Sequence, residues 1–166
     1  MTDKSMPDVA VSQKMVLERT YRARVSELWD LWTTKDGFES WWGPDGFRVD
    51  VHRIEAKLGG IVQYNMIADS PEMIAAMTQI GRPLSTETRG TFTRFEPRTR
   101  LALTHRIDFL PGVPPYDSTT SVEFSPSGDR VRMVVTLDPM HDDHMTQMAT
   151  MGFTSQLTKL DKRFAG

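Results

Sequence analysis

An antiparallel sheet with helices on one face, the α+β class, is what this 166-residue sequence predicts. Three observations carry that reading. The element signals run in the order strand, two short helices, a run of strands, one long helix. Val131, Met133, Val135 and Leu137 recur at every second position, with Arg130, Arg132, Thr136 and Asp138 between and around them and Val134 the one apolar interruption, the period of a half-buried strand. Phe153, Leu157, Leu160 and Phe164 step by four, three and four, which draws one apolar stripe along a helix.

The polar stretch 1–13 reads as a loose N-terminal segment, followed by a single domain over 14–166. Lys14–Arg24 is the first strand, with Leu17, Tyr21 and Ala23 on one face. Ser26 is placed to cap a short helix carrying Leu28, Trp29, Leu31 and Trp32, with Glu27 in its first turn. A second short helix holds Phe38, Trp41 and Trp42 and stops at Gly43-Pro44. Two of the four tryptophans thus stand side by side at one helix end, where bulky aromatics close something off.

Phe47–Ala56 alternates as a strand, and Gly59-Gly60 turns it into Ile61–Ala68, where Val62, Tyr64 and Met66 share a face. Asp69-Ser70-Pro71-Glu72 is a helix start, a cap followed by proline at the first helical position. The extra helix near 71–80 carries Met73, Ile74, Met77 and Ile80, and ends at Gly81 and Pro83; lid, dimer contact and simple packing all remain open for it. Strands follow at Arg89–Glu96, Arg100–Ile107, Thr119–Ser125 and Arg130–Asp138, the last two joined through Ser125–Asp129. That makes a sheet of six or seven strands. From Asp142 to Phe164 no proline intervenes, and a helix of about 23 residues would run roughly 34 Å, enough to cross the sheet.

The totals exclude several classes. A net charge of -2 with 20 basic and 22 acidic residues, and no Lys/Arg block, argues against a nucleic-acid surface. With no cysteine there is neither disulfide nor thiolate chemistry, which suggests a reducing compartment. No apolar run approaches the roughly 20 residues of a membrane span, and the N-terminus lacks a signal-peptide core, so a cytoplasmic setting is expected. The 11 methionines suit either core filling or an adaptable binding surface.

Several strings, in order, resemble the START-like superfamily (polyketide cyclase-like, Bet v-like helix-grip fold), and within it the group homologous to the activator of the heat-shock protein 90 ATPase. They are Leu28-Trp29-Asp30-Leu31-Trp32-Thr33, Trp41-Trp42-Gly43-Pro44, Leu58-Gly59-Gly60, Gly90-Thr91-Phe92, Arg100–Thr104, and Met151-Gly152-Phe153 with Leu157 and Leu160. The resemblance implies a curved sheet gripping the C-terminal helix over an apolar cavity. It also implies members that bind small apolar molecules, partner a chaperone, or in some cases catalyse cyclisation or hydrolysis.

The leading expectation is a non-catalytic binder whose cavity is walled by Trp41, Trp42, Tyr64, Met66, Phe92, His105, Met133, Met148 and Phe153. A chaperone ATPase activator-like partner module is one alternative. A cyclase or hydrolase using His105, in phase with Leu101 and Leu103 on its strand, is the other. No cofactor is expected, and a homodimer stays open. His141-Asp142-Asp143-His144 has metal-like residue types but reads as a helix start, so no metal is expected. No nucleophile elbow and no phosphate loop is present. Arg19, Arg53 and Glu55 fall on inward phases; Arg19 with Glu55 or Glu123 is one candidate pair to anchor an acidic ligand, with a structural salt bridge or a register error the favoured alternatives.

Overall fold

The computed structural model describes residues 13–108 and 110–165, so the expected loose stretch 1–13 lies, Gln13 apart, outside the described residues. Seven strands form one curved antiparallel sheet: β1 (Met15–Tyr21), β2 (Phe47–Ile54), β3 (Ile61–Ala68), β4 (Ser85–Glu96), β5 (Arg100–Ile107), β6 (Tyr116–Ser127) and β7 (Arg130–Leu137). Their order is β1-β7-β6-β5-β4-β3-β2. Strands β2 to β7 therefore meander, and β1 closes the far edge beside β7. Four helices join them among the described residues: α1 (Val25–Thr33), α2 (Lys35–Trp41), α3 (Pro71–Gln79) and α4 (Asp143–Arg163).

Local chemistry sets the corners. Gly60 must be glycine because a Cβ there would collide with the Glu55 carbonyl, which the turn holds close while Glu55 N–H donates to Ile61 O at 3.0 Å. The β6–β7 connection is tighter than the segment 125–129 suggested. Ser127 pairs with Arg130, leaving a two-residue turn with Gly128 at φ 62°. Helix α1 also departs from expectation. It starts at Val25, Ser26 is inside it, and the cap interaction is Glu27 reaching back to the Arg24 N–H at 2.9 Å. Ser70 and Asp142 do cap α3 and α4, accepting from Met73 N and Met145 N.

The closed part of the core is aromatic. Trp32, Phe38 and Trp41 are sealed from solvent, and Trp41 and Trp42 meet edge to face at 5.3 Å. Phe38 stacks on Trp42 at 4.4 Å, while Phe153 of α4 touches Trp32, Trp41 and Trp42. Burying each such ring contributes at least about 1.5–3 kcal/mol from area alone. The tandem tryptophans close the space between α1, α2 and α4, and the Trp41 indole N–H donates to Leu31 O at 2.8 Å.

Helix α4 packs on α2 and β1. Arg19 does point toward it, but its partner is Asp161 at 3.3 Å rather than Glu55 or Glu123. Tyr21 donates to the same carboxylate at 2.7 Å, and burial, then that carboxylate, push the Tyr21 phenol up. Glu123 pairs instead with Arg100 at 3.2 Å. Arg53 and Glu55 bind each other at 2.6 Å near the surface, because a β-bulge between Val51 and Arg53 shifts the register of β2. Strict alternation carried past that bulge puts two charges inward that the backbone has turned out.

Candidate functional site

The helices do not cover the whole inner face of the sheet. A cavity of about 460 Å³ opens where β3 to β7 face the first half of α4, with the α3–β4 connection along its mouth. Its apolar wall is Phe47, Met66, Ile107, Leu137, Met140, Ala149 and Phe153, with Met77, Ile80 and Pro83 at the mouth. Polar groups gather on the strands: Tyr64, Thr86, Thr88, His105, Ser118 and Thr120, with Arg82 and Asp138 also present. The size is that of a pocket for a drug-sized molecule.

The buried polar end is a chain of three side chains. Trp42 Nε1–H donates to Tyr64 Oη at 3.1 Å, and Tyr64 Oη is 2.9 Å from His105 Nε2. Tyr64 is 2 % exposed and His105 9 %. Burial pushes the Tyr64 phenol up, and it pushes the His105 imidazole down to about 4, so at neutral pH neither group carries a charge. The two rings sit on β3 and β5, with β4 between them, about 9.5 Å apart at backbone level. They meet because Gly90, directly opposite His105 on β4, presents no side chain between them.

Tyr64, Met66, His105 and Phe153 are the sequence-nominated residues that line this cavity. The other five do not. Trp41 packs wholly within the aromatic core, and Trp42 lies behind Tyr64, touching the site through that hydrogen bond. Phe92 and Met133 share the inner face but are sealed in the core with Trp29, Leu157 and Leu160. Met148 is 52 % exposed. Counting back four from Phe153 along α4 gives Ala149, and the one-residue step to Met148 turns the side chain about 100° away.

The polar wall was missed for a definite reason. Strand β4 begins at Ser85 and β6 at Tyr116, each earlier than its apolar alternation, so Thr86, Thr88 and Ser118 fell outside the expected strands. Ile107 and Leu137 were within reach, being in phase with His105 and Val135. Helix α3 contributes Met77 and, at its C-cap, Ile80 to the mouth, while Ile74 and Ile80 stay largely exposed.

Asp142 Oδ1 accepts from Met145 N at 2.7 Å as the cap of α4, and His141 bonds Tyr116 Oη at 3.1 Å. Among the described residues no three His, Cys, Asp or Glu side chains are placed to hold a metal ion. No carboxylate hydrogen-bonds His105 among them, its partner being the Tyr64 phenol. Among them, too, no helix is long and apolar enough to cross a membrane.

A curved antiparallel sheet gripping a C-terminal helix defines the START-like, helix-grip class, a fold known for ligand binding. Over residues 22–165 the chain matches the family described as Activator of Hsp90 ATPase homolog 1-like protein, and it belongs to that family. Solved structures share the fold. A Chromobacterium violaceum protein superposes with a TM-score of 0.73 at 16 % identity, covering 93 % of this chain and 99 % of its own. The AHSA1 protein of Silicibacter pomeroyi gives 0.71 at 21 % identity, covering 92 % and 98 %. CalU16 of Micromonospora echinospora gives 0.61 at 18 %, covering 91 % and 75 %. No curated protein matches the chain.

Proposed function

We propose that this protein binds one small, largely apolar molecule in the cavity between the sheet and α4, as a non-catalytic binder. The supporting observation is the cavity itself. Its wall is mostly aliphatic, aromatic and methionine side chains, around a small buried polar group, which is the composition of a ligand pocket. Met77 and Ile80 bring α3 to the mouth, so that helix forms part of the rim.

Titration with the neutral fluorophore N-phenyl-1-naphthylamine tests this reading. Saturable binding of one molecule per chain is expected, with loss of binding in Ala149→Trp, whose indole would fill the cavity from α4. Absence of saturable binding to the unaltered protein would sink the proposal. Native mass spectrometry of protein purified from its source would show a retained molecule and, in the same spectrum, the subunit count.

Membership in the activator family favours a second reading, a partner module that stimulates a chaperone ATPase. ATP turnover by a purified bacterial Hsp90 chaperone, with and without saturating protein, separates the two readings. Unchanged turnover would rule the second out.

A further inference from the structure

We infer that the deep end of the cavity selects an uncharged hydrogen-bond acceptor, so that the ligand is a largely apolar molecule carrying a carbonyl oxygen. This inference rests on the binding reading above and adds the ligand's chemistry to it.

The argument follows the protons. An indole N–H only donates, so Trp42 occupies one acceptor site of Tyr64 Oη. The Tyr64 hydroxyl proton then needs an acceptor, and the group within reach among the described residues is His105 Nε2 at 2.9 Å. If Nε2 carried the ring proton instead, two donors would point at Tyr64 Oη and its own proton would be buried without a partner, a costly arrangement. The consistent chain runs Trp42 N–H to Tyr64 O, then Tyr64 O–H to His105 Nε2. A neutral imidazole that accepts at Nε2 carries its proton on Nδ1.

His105 Nδ1 has no hydrogen-bond partner among the described residues. Nor is it one of the sealed, unpartnered atoms, which are Trp32 Nε1 and Gln156 Nε2. His105 lines the cavity, and Nδ1, the ring nitrogen that Tyr64 does not engage, is the donor this side chain has to offer there. Ser118 stands directly opposite His105 on β6 and lines the same cavity. Its hydroxyl reaches only the thioether of Met140, at 3.9 Å, and thioether sulfur is a poor acceptor. Two donors on adjacent, register-paired strands thus line one cavity, and a carbonyl oxygen has two lone pairs to meet them. At this pair a cationic amine has no lone pair to offer, and a carboxylate would meet two neutral donors; the charged lining groups, Arg82 and Asp138, lie on the α3–β4 connection and just past β7, not on the strands that carry His105 and Ser118.

The same geometry constrains chemistry. With its proton on Nδ1 and Nε2 engaged by Tyr64, His105 has no free lone pair toward the cavity at neutral pH. It is a positioned donor there, not a general base.

Two measurements test the inference. Long-range ¹H–¹⁵N spectra of the histidine rings at pH 7, with His105 assigned by comparison with His105→Gln, should show that ring neutral and protonated at Nδ1. A ring protonated at Nε2 overturns the inference. Competition titrations against N-phenyl-1-naphthylamine should then compare benzophenone with diphenylmethane, which differ at one carbonyl. The hydrocarbon is the more apolar, so an unselective greasy cavity prefers it, whereas the donor pair should favour the ketone by about tenfold. Equal binding, or preference for diphenylmethane, overturns the acceptor site and leaves the binding reading standing. Failure of both, and of the fluorophore, overturns the binding reading as well. In Tyr64→Phe the ratio of benzophenone to diphenylmethane affinity should collapse; an unchanged ratio overturns the relay.

Discussion

Gly90 faces His105 across the β4–β5 ladder, and the absence of its side chain is what lets the imidazole lean over β4 to Tyr64. A Cβ at position 90 would lie 3.0 Å from Leu103 Cδ1, 3.1 Å from the Thr104 carbonyl and 3.4 Å from His105 Cδ2. The leucine methyl can move, but the Thr104 carbonyl is fixed in the sheet. Gly90→Ala should therefore cost about 1–3 kcal/mol. It should also push the imidazole away from Tyr64. Urea denaturation gives the first quantity, and the His105 ring ¹⁵N shifts report the second. A variant as stable as the parent, with unchanged shifts, would show that the close fit has no energetic consequence.

Tyr64→Phe removes one oxygen and leaves two buried groups stranded, Trp42 N–H and His105 Nε2. Each loses its only described partner. The expected loss of stability is about 2–4 kcal/mol, larger than a single hydrogen bond contributes, because the cost is that of unsatisfied buried groups. The double variant Trp42→Phe, Tyr64→Phe should lose less than the sum of the two single changes. Additive losses would mean that the two groups are not coupled.

The buried imidazole also makes stability depend on pH. His105 titrates near 4 when folded and near 6.5 when unfolded. Between those values the unfolded chain binds the proton and the folded one does not, so stability falls as pH drops from 6.5 toward 4. The full effect is on the order of 3 kcal/mol. Three carboxylates held below their usual range act lower down. Glu18 is bound by Arg132, Glu55 by the Ile61 N–H, and at Glu39 the opposing effect of burial is outweighed by Lys35 and the Val51 N–H; their contributions are lost only below about 4.5. Stability measured at pH 6.5 and 5 should differ clearly in the parent and much less in His105→Gln. Equal slopes would place the dependence elsewhere.

Much of this was legible in the residue pattern, and the failures share one cause. The inward positions of Tyr64, Met66 and His105 follow from alternation alone, and Phe153 from the stripe on α4. Alternation says which face a side chain takes but not how far along the strand the packed core extends. Phe92 and Met133 therefore look equivalent to Tyr64 until α1 and the second half of α4 cover them. A bulge leaves no mark in apolar periodicity, so Arg53 and Glu55 were turned the wrong way. Helix stripes drift by 100° per residue, and Met148 missed the cavity by one position. The Gly-Pro after the tandem tryptophans marked a break correctly. What the break docks against depends on residues more than a hundred positions later.

That docking gives the last prediction. Gly43 N–H donates to Gln156 Oε1 at 2.8 Å in a buried contact, and Lys159 Nζ donates to the Gly43 carbonyl at 2.7 Å. Burial lowers the Lys159 ammonium, with Asp45 and Asp69 opposing that shift. Two residues on, Asp45 N–H donates to Ser155 Oγ at 2.9 Å, but in an exposed contact. The three bonds fasten the segment after Trp42 to the middle of α4, beside the residues that fix Tyr64. Counting bonds would make Gln156 and Ser155 equal. Burial says otherwise: in Gln156→Ala the Gly43 N–H is left dry and unpaired, at about 1–3 kcal/mol, whereas in Ser155→Ala water replaces the hydroxyl and the change stays within about 0.5 kcal/mol. Urea midpoints at unchanged slope measure both. Because the loosened segment begins directly after Trp42, Gln156→Ala should also weaken the benzophenone preference. A large loss in Ser155→Ala with none in Gln156→Ala would reverse the argument, by showing that the loop is held at its exposed end.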